Sequence, residues 1–289
     1  MKQKIKNKLK NKNTETIILA VFLVFMTLLF AYLVSLNGLL VWDEVVYLSN
    51  ARGKISESAY TENFRFPLLS TIIAGLWLIT GESILSAQIL MIIISIATLG
   101  VFYAISCKFL SKGIALFSTI FLAINLQFIT WGYRIYTDIL GVFLFLSCLL
   151  LLIISQEEKN KSNIKKSSIL LFFAGILSGL AFAARLSTII PSIIFGIFFI
   201  LYKSKNKWLK SSIIFSSGFI AAISYWIING LIHHKNPLHF AFAQASAIIE
   251  YTAAQPAILM IQHILREYSI SLLLIPFSII CFSKKEKIK

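Results

Sequence analysis

Of the 289 residues, 58% are apolar and only 13% are charged, against roughly 25% charged in soluble globular domains, which excludes an ordinary water-soluble enzyme. The net charge of +15 sits in short lysine clusters between apolar runs, without interleaved aromatic residues, so no nucleic-acid partner is expected. About 20 apolar residues cross the hydrocarbon core, and inside lipid a helix satisfies its own backbone, so the expected fold is an all-α polytopic transmembrane bundle.

A basic leader (1–15) precedes a first span at 16–40. At 25 residues this run exceeds the 7–15 residue core of a secretory signal, and it reads as a retained span with a cytoplasmic N-terminus. An external segment (41–66) follows. The apolar stretch 67–80, bounded by Pro67 and Gly81-Glu82, is short for a span and suits an interfacial or re-entrant helix. Further spans are expected at 84–106, 113–132, 136–154, 168–184, 187–202, 211–232 and 268–282, about eight in all. A second long external segment (233–267) contains an interfacial helix near 258–266. The whole chain reads as a single membrane domain, with a plasma-membrane location and both termini in the cytoplasm. Cys107, Cys148 and Cys281 lie in or beside apolar runs without metal or disulfide spacing, as small packing residues do.

Charge parity decides the topology. If 67–80 does not cross, the cytoplasmic segments hold 20 of the 22 lysines. If it crosses, the clusters fall outside, against the positive-inside bias. In the eight-span arrangement all five arginines lie on the outer side or at outer span ends, as do eight of the twelve acids. Arginine's planar fork suits phosphate or carboxylate, so this segregation points to an anion site on the outer face.

Trp42-Asp43-Glu44 stands just outside the first span, where a half-desolvated carboxylate could serve as a general base. Alternatively, Asp43 caps a surface helix beginning near Glu44. Asp138 follows Tyr133-Arg134-Ile135-Tyr136-Thr137; Thr137 or Asp138 would make a good N-cap, while the arginine and two tyrosines suit a polar wall. Arg185 is the one charge in Gly179–Pro191. An arginine in a span costs about 3 kcal/mol on insertion scales and usually faces a cavity or partner, although it could snorkel to headgroups. Arg65 precedes Phe66-Pro67, where it could meet a lipid phosphate or anchor the helix. His233, His234 and His239 suggest no metal, because adjacent histidines cannot face one ion from a regular helix.

Four stretches stand in order: Trp42-Asp43-Glu44-Val-Val-Tyr47, Arg65-Phe66-Pro67-Leu68, Tyr136-Thr137-Asp138, and the glycine-containing run Gly175–Arg185. This set resembles the GT-C superfamily of polyprenyl-phosphate-sugar-dependent glycosyltransferases, with the protein O-mannosyltransferases and aminoarabinose transferases nearest in pattern. Arg65 stands one position further from the proline than the family pattern has it. The resemblance implies inverting transfer of a mannose-like hexose or aminosugar at the outer face, from a polyprenyl-phosphate donor to a lipid, glycan or protein hydroxyl. It makes Asp43 the general base, with Glu44 and Asp138 orienting acceptor or sugar. Arg185, with Arg65 and Arg134, would hold the donor phosphate. No cofactor is required, and the carboxylates could bind a divalent metal. Members are usually much longer, so a compact member, a truncated product and one half of a split enzyme all fit. The competing readings are a transporter or lipid-carrier flippase, and a non-catalytic subunit of a split transferase.

Overall fold

The computed structural model describes residues 2–36, 40–56, 62, 65–188, 208–239, 241–243 and 246. It divides into two units, residues 1–241 and 242–289, and all but three of the described residues lie in the first. The protein is an all-helical membrane protein. In chain order the helices are α1 (Lys2–Leu36), α2 (Trp42–Gly53), α3 (Pro67–Thr80), α4 (Ile84–Phe109), α5 (Lys112–Ala123), α6 (Leu126–Gly132), α7 (Thr137–Asn160), α8 (Ile164–Ala184), a 3-10 turn (Leu186–Thr188) and α9 (Trp208–His234).

Five of these are long and apolar enough to cross a membrane: Thr14–Leu36, Ile84–Phe109, Thr137–Asn160, Ile164–Ala184 and Leu209–Ile232. The expected span at 113–132 is not one straight rod. It is α5 and α6, bent by 68° at Ile124-Asn125. Asn125 accounts for the break: its Oδ1 accepts from the backbone N–H of Gln127 (3.0 Å) and Phe128 (3.4 Å), opening a new helix instead of continuing the old one. Beyond Thr188, the expected span 187–202 lies outside the described residues, as do the expected span 268–282 and the interfacial helix near 258–266.

α7 is the central helix, packed along both α4 and α8, while α9 lies along α8. Small residues allow that second contact. A Cβ on Gly179 would stand 2.7 Å from Phe219 O, and one on Gly175 or Gly218 would collide with the backbone carbonyl of Phe215 or Phe172, respectively. In lipid, where apolar burial between helices gains little, such close approach is what holds helices together. Cys148 is buried beside Leu152, Ala174 and Phe215 in this layer.

The core runs through Phe30, Phe66, Leu69, Ile73, Met91, Leu99 and Ile135, all fully buried. α1 touches it with Met26 and Phe30 and leaves Val21, Val24, Phe25 and Leu28 exposed, a face suited to lipid. Phe30 lies over Gly132 at the end of α6, where a Cβ would come within 2.6 Å of the ring. Ser95 Oγ donates to Gly132 O (2.6 Å), so α1 and α4 together fix the point from which the chain turns into α7.

The two ends of the bundle differ. At one, Lys108 Nζ meets both oxygens of Glu157 (3.0 and 2.8 Å), clamping the C-terminal ends of α4 and α7 among lysines. At the other, α7 begins, α8 ends, and α2 and α3 lie side by side. Asp43 at the start of α2 pairs with Arg65 before α3, and Arg52 near the end of α2 pairs with Glu82 beyond α3.

Candidate active site

The site is built on α2. Its N-cap is Val41, which has no side-chain acceptor, so Glu44 completes half of a capping box by accepting from Val41 N–H with Oε2 (3.0 Å). The alternative that Asp43 caps this helix does not hold: Asp43 is the second helical residue, and its carboxylate turns to Arg65. The second oxygen of Glu44 accepts from Ile135 N–H (3.0 Å), and Arg134 Nη1 stands 3.6 Å from Oε2. Glu44 is only 3% exposed. A carboxylate this buried needs such partners, and here they join the start of α2 to the turn between α6 and α7.

Asp43 takes a two-pronged grip from Arg65, with Nη2–Oδ1 2.5 Å and Nη1–Oδ2 3.4 Å. Arg65 is itself positioned: its Cζ lies 5.9 Å from the centre of the Tyr47 ring, and Nε stands 3.7 Å from Glu62 Oε2. Asn50 and Glu62 exchange side-chain-to-backbone bonds of 3.0 and 2.7 Å, which pins the chain ahead of Arg65 to α2.

The second pair joins Asp138, in the first turn of α7, to Arg185, the C-cap of α8. Both placements favour the charges, since a helix N-terminus attracts a carboxylate and a C-terminus a cation. Arg185 is shaped further by its own turn: Nε donates to Ser187 Oγ (3.1 Å), and Thr188 Oγ1 donates to Arg185 O (2.7 Å). Gly141, one turn below Asp138, makes room for that turn; a Cβ there would lie 3.0 Å from Thr188 Cγ2. The lone arginine of the Gly179–Pro191 run therefore has a carboxylate partner. At the N-terminus of α7 the N-cap is Tyr136, which makes no side-chain cap, and not Thr137 or Asp138. Thr137 instead lies 3.3 Å from the hydroxyl of Tyr47.

The two pairs are neighbours, for Asp43 and Asp138 lie within electrostatic reach of each other. They also open oppositely. In the first pair the carboxylate is the more exposed member, at 36% against 19% for Arg65. In the second it is the guanidinium, at 40% against 14% for Asp138. Burial pushes the Tyr47 phenol above its ordinary value, against the pull of Thr137 and Arg65. Burial, and then the charges of Asp43 and Glu44, raise Tyr136. Both stay neutral near pH 7 and can serve as hydrogen-bond donors.

All six expected residues come to one end of the bundle. Asp43, Arg65, Asp138 and Arg185 form the two pairs, while Arg134 faces Glu44 and the Tyr133 ring (5.7 Å). Tyr47 and Thr137, which stand in the quoted stretches without a site role, belong to the same assembly. A signal existed, because Tyr47 lies four residues after Asp43 and so shares its helix face. Among the described residues no group of three His, Cys, Asp or Glu side chains could hold a metal ion.

The class is a membrane glycosyltransferase of the GT-C type. Residues 65–228, more than half of the 289, match the model of the family described as dolichyl-phosphate-mannose-protein mannosyltransferase. The chain belongs to that family. The match begins at Arg65, includes Arg134, Asp138 and Arg185, and ends within α9. No curated protein and no solved structure matches the chain.

Proposed function

We propose that the protein transfers a sugar, a mannose-like hexose or an aminosugar, from a polyprenyl phosphate to an acceptor hydroxyl with inversion. The observation that carries this reading is the pair of neighbouring, oppositely opened ion pairs. Asp43 takes the acceptor proton as the acceptor oxygen attacks the anomeric carbon. The bond from that carbon to the phosphate oxygen breaks, and its electron pair leaves on the lipid phosphate, facing Arg185. A base on one side and fixed positive charge on the other are what the step needs. Asp138 holds Arg185 until the donor phosphate replaces it, and Glu44 fixes the wall carrying Arg134. The acceptor hydroxyl belongs to a lipid, a glycan or a protein.

The test is release of labelled sugar from polyprenyl-phosphate mannose by membranes carrying the full chain, with a polyprenyl-phosphate aminosugar in parallel. Release of neither sugar, with folded protein present, would sink the reading. Arg185→Ala is expected to raise the donor KM by about 10- to 100-fold, the equivalent of one or two charge-assisted hydrogen bonds. The acceptor KM should change little, and equal effects on both would remove Arg185 from the phosphate. Arg185→Lys should restore only part of the loss, since an ammonium cannot grip two oxygens with a planar fork.

The same reading places this end of the bundle on the outer face of the plasma membrane, with the lysine-rich end in the cytoplasm, in line with the positive-inside bias. With native cysteines replaced, Ile55→Cys should react with an impermeant thiol reagent on intact cells, and Lys161→Cys only after permeabilisation. The reverse pattern would overturn the orientation.

A further inference from the structure

Resting on the transfer reading above, we infer that Tyr47 is a positioning residue of the reaction, the side chain that holds the base and the phosphate cation in register. Four observations meet on it. Its side chain is only 4% exposed, in the core between α2 and the start of α7. It lies one helical turn beyond Asp43 on the same face of α2. The face of its ring supports the Arg65 guanidinium, 5.9 Å from Cζ to the ring centre, while the fork of that guanidinium grips Asp43. Its hydroxyl lies 3.3 Å from Thr137 Oγ1, and Thr137 is followed directly by Asp138, the partner of Arg185.

The two ends of Tyr47 have different duties. The ring governs the base. A guanidinium lying against an aromatic face is held in its plane, and here the two Asp43 oxygens are gripped unequally, Oδ1 at 2.5 Å and Oδ2 at 3.4 Å. The looser oxygen, Oδ2, is the one left to accept the proton of the attacking hydroxyl. Without the ring, Arg65 is free to close on both oxygens or swing toward Glu62, 3.7 Å from its Nε. The hydroxyl governs the donor side. It ties α2 to the first residue of α7, and so sets where Asp138, and Arg185 with it, stand relative to Asp43. Glu44 also bridges α2 to this region, but through the backbone of Ile135, in the turn before the helix. Tyr47 thus touches each half of the site, Thr137 with its hydroxyl and Arg65 with the face of its ring.

Two variants separate these duties. Tyr47→Phe keeps the ring and removes the hydroxyl, and Tyr47→Leu removes both. The measurements use membranes carrying the full chain: turnover of labelled polyprenyl-phosphate mannose, and binding of its non-transferable phosphonate analogue, each normalised to folded protein. Tyr47→Phe is expected to raise the donor KM and weaken phosphonate binding about fivefold, as for one neutral hydrogen bond, with kcat within about twofold of wild type. Tyr47→Leu is expected to lower kcat by about tenfold or more in addition. If Tyr47 only fills space, both variants lose rate in proportion to lost folded protein, with KM and phosphonate affinity at wild-type values, and that result overturns the inference. Absence of turnover by the wild type would defeat the transfer reading instead. The ratio of phosphonate affinities between wild type and Tyr47→Phe would then still decide the role of the hydroxyl.

Discussion

Asp43→Asn is expected to remove sugar release almost completely, by about 100- to 10,000-fold in kcat, the range of a positioned general base. The substitution is nearly isosteric, and little of the fold depends on the lost charge. The Asp43 carboxylate is the more exposed member of its pair, whereas the start of α2 is stapled by Glu44, whose oxygens meet Val41, Ile135 and Arg134. Arg65 keeps Glu62 and the Tyr47 ring as neighbours. The variant should therefore fold, bind donor with a KM near that of wild type, and fail in the chemical step. Measured turnover within tenfold of wild type would move the base elsewhere. The geometry then leaves Asp138 as the candidate, because both oxygens of Glu44 are already engaged in a site only 3% exposed.

Gly175→Val has the second large effect, this time through packing. The missing Cβ of Gly175 points at the carbonyl oxygen of Phe215 on α9, and Gly218 presents the same relation to Phe172 on α8. Overpacking a well-filled core typically costs 1–3 kcal/mol. Here the obstacle is backbone on both sides, so the helices must separate along the length that contains both glycines. The expected outcome is a cooperative loss of thermal stability in detergent, by about 3 kcal/mol or more, and loss of activity with it, because α8 ends at Arg185. Gly100→Val on α4 is the control: nothing lies within 4 Å of its Cβ position, and its melting temperature should stay near that of wild type. Similar melting curves for the two variants would contradict the close α8–α9 contact.

Long apolar runs announced α4, α7, α8 and α9 because lipid leaves a helix no alternative, and length alone separates a span from the 14-residue α3. The bend in the third expected span was not legible. Apolar residues flank a single polar one in Ile124-Asn125-Leu126, and only the capping bonds of Asn125 show that one helix ends and another begins. The site divides in the same way. Its charged residues stood out because charge is rare in this chain, but their pairing did not. Asp43 and Arg65 are 22 residues apart, with the rest of α2 between them. Arg134 was expected at the donor phosphate, and it lies against Glu44 and Tyr133. Tyr47 carried no charge to draw notice, and its partners Arg65 and Thr137 come from two segments distant in the chain.

On the transfer reading proposed above, the two ion pairs also bear on which ligands the site takes. Four charges cancel two by two, so the paired side chains present little net field to a phosphate-bearing headgroup. A bare headgroup that displaces Asp138 from Arg185 leaves a carboxylate stranded with little water and nothing to replace its partner. A sugar-bearing carrier brings hydroxyls that can satisfy the displaced carboxylate while its phosphate takes the cation. On that reading the neutral pairing would act as a filter, favouring the ligand that answers both charges over one that answers a single charge.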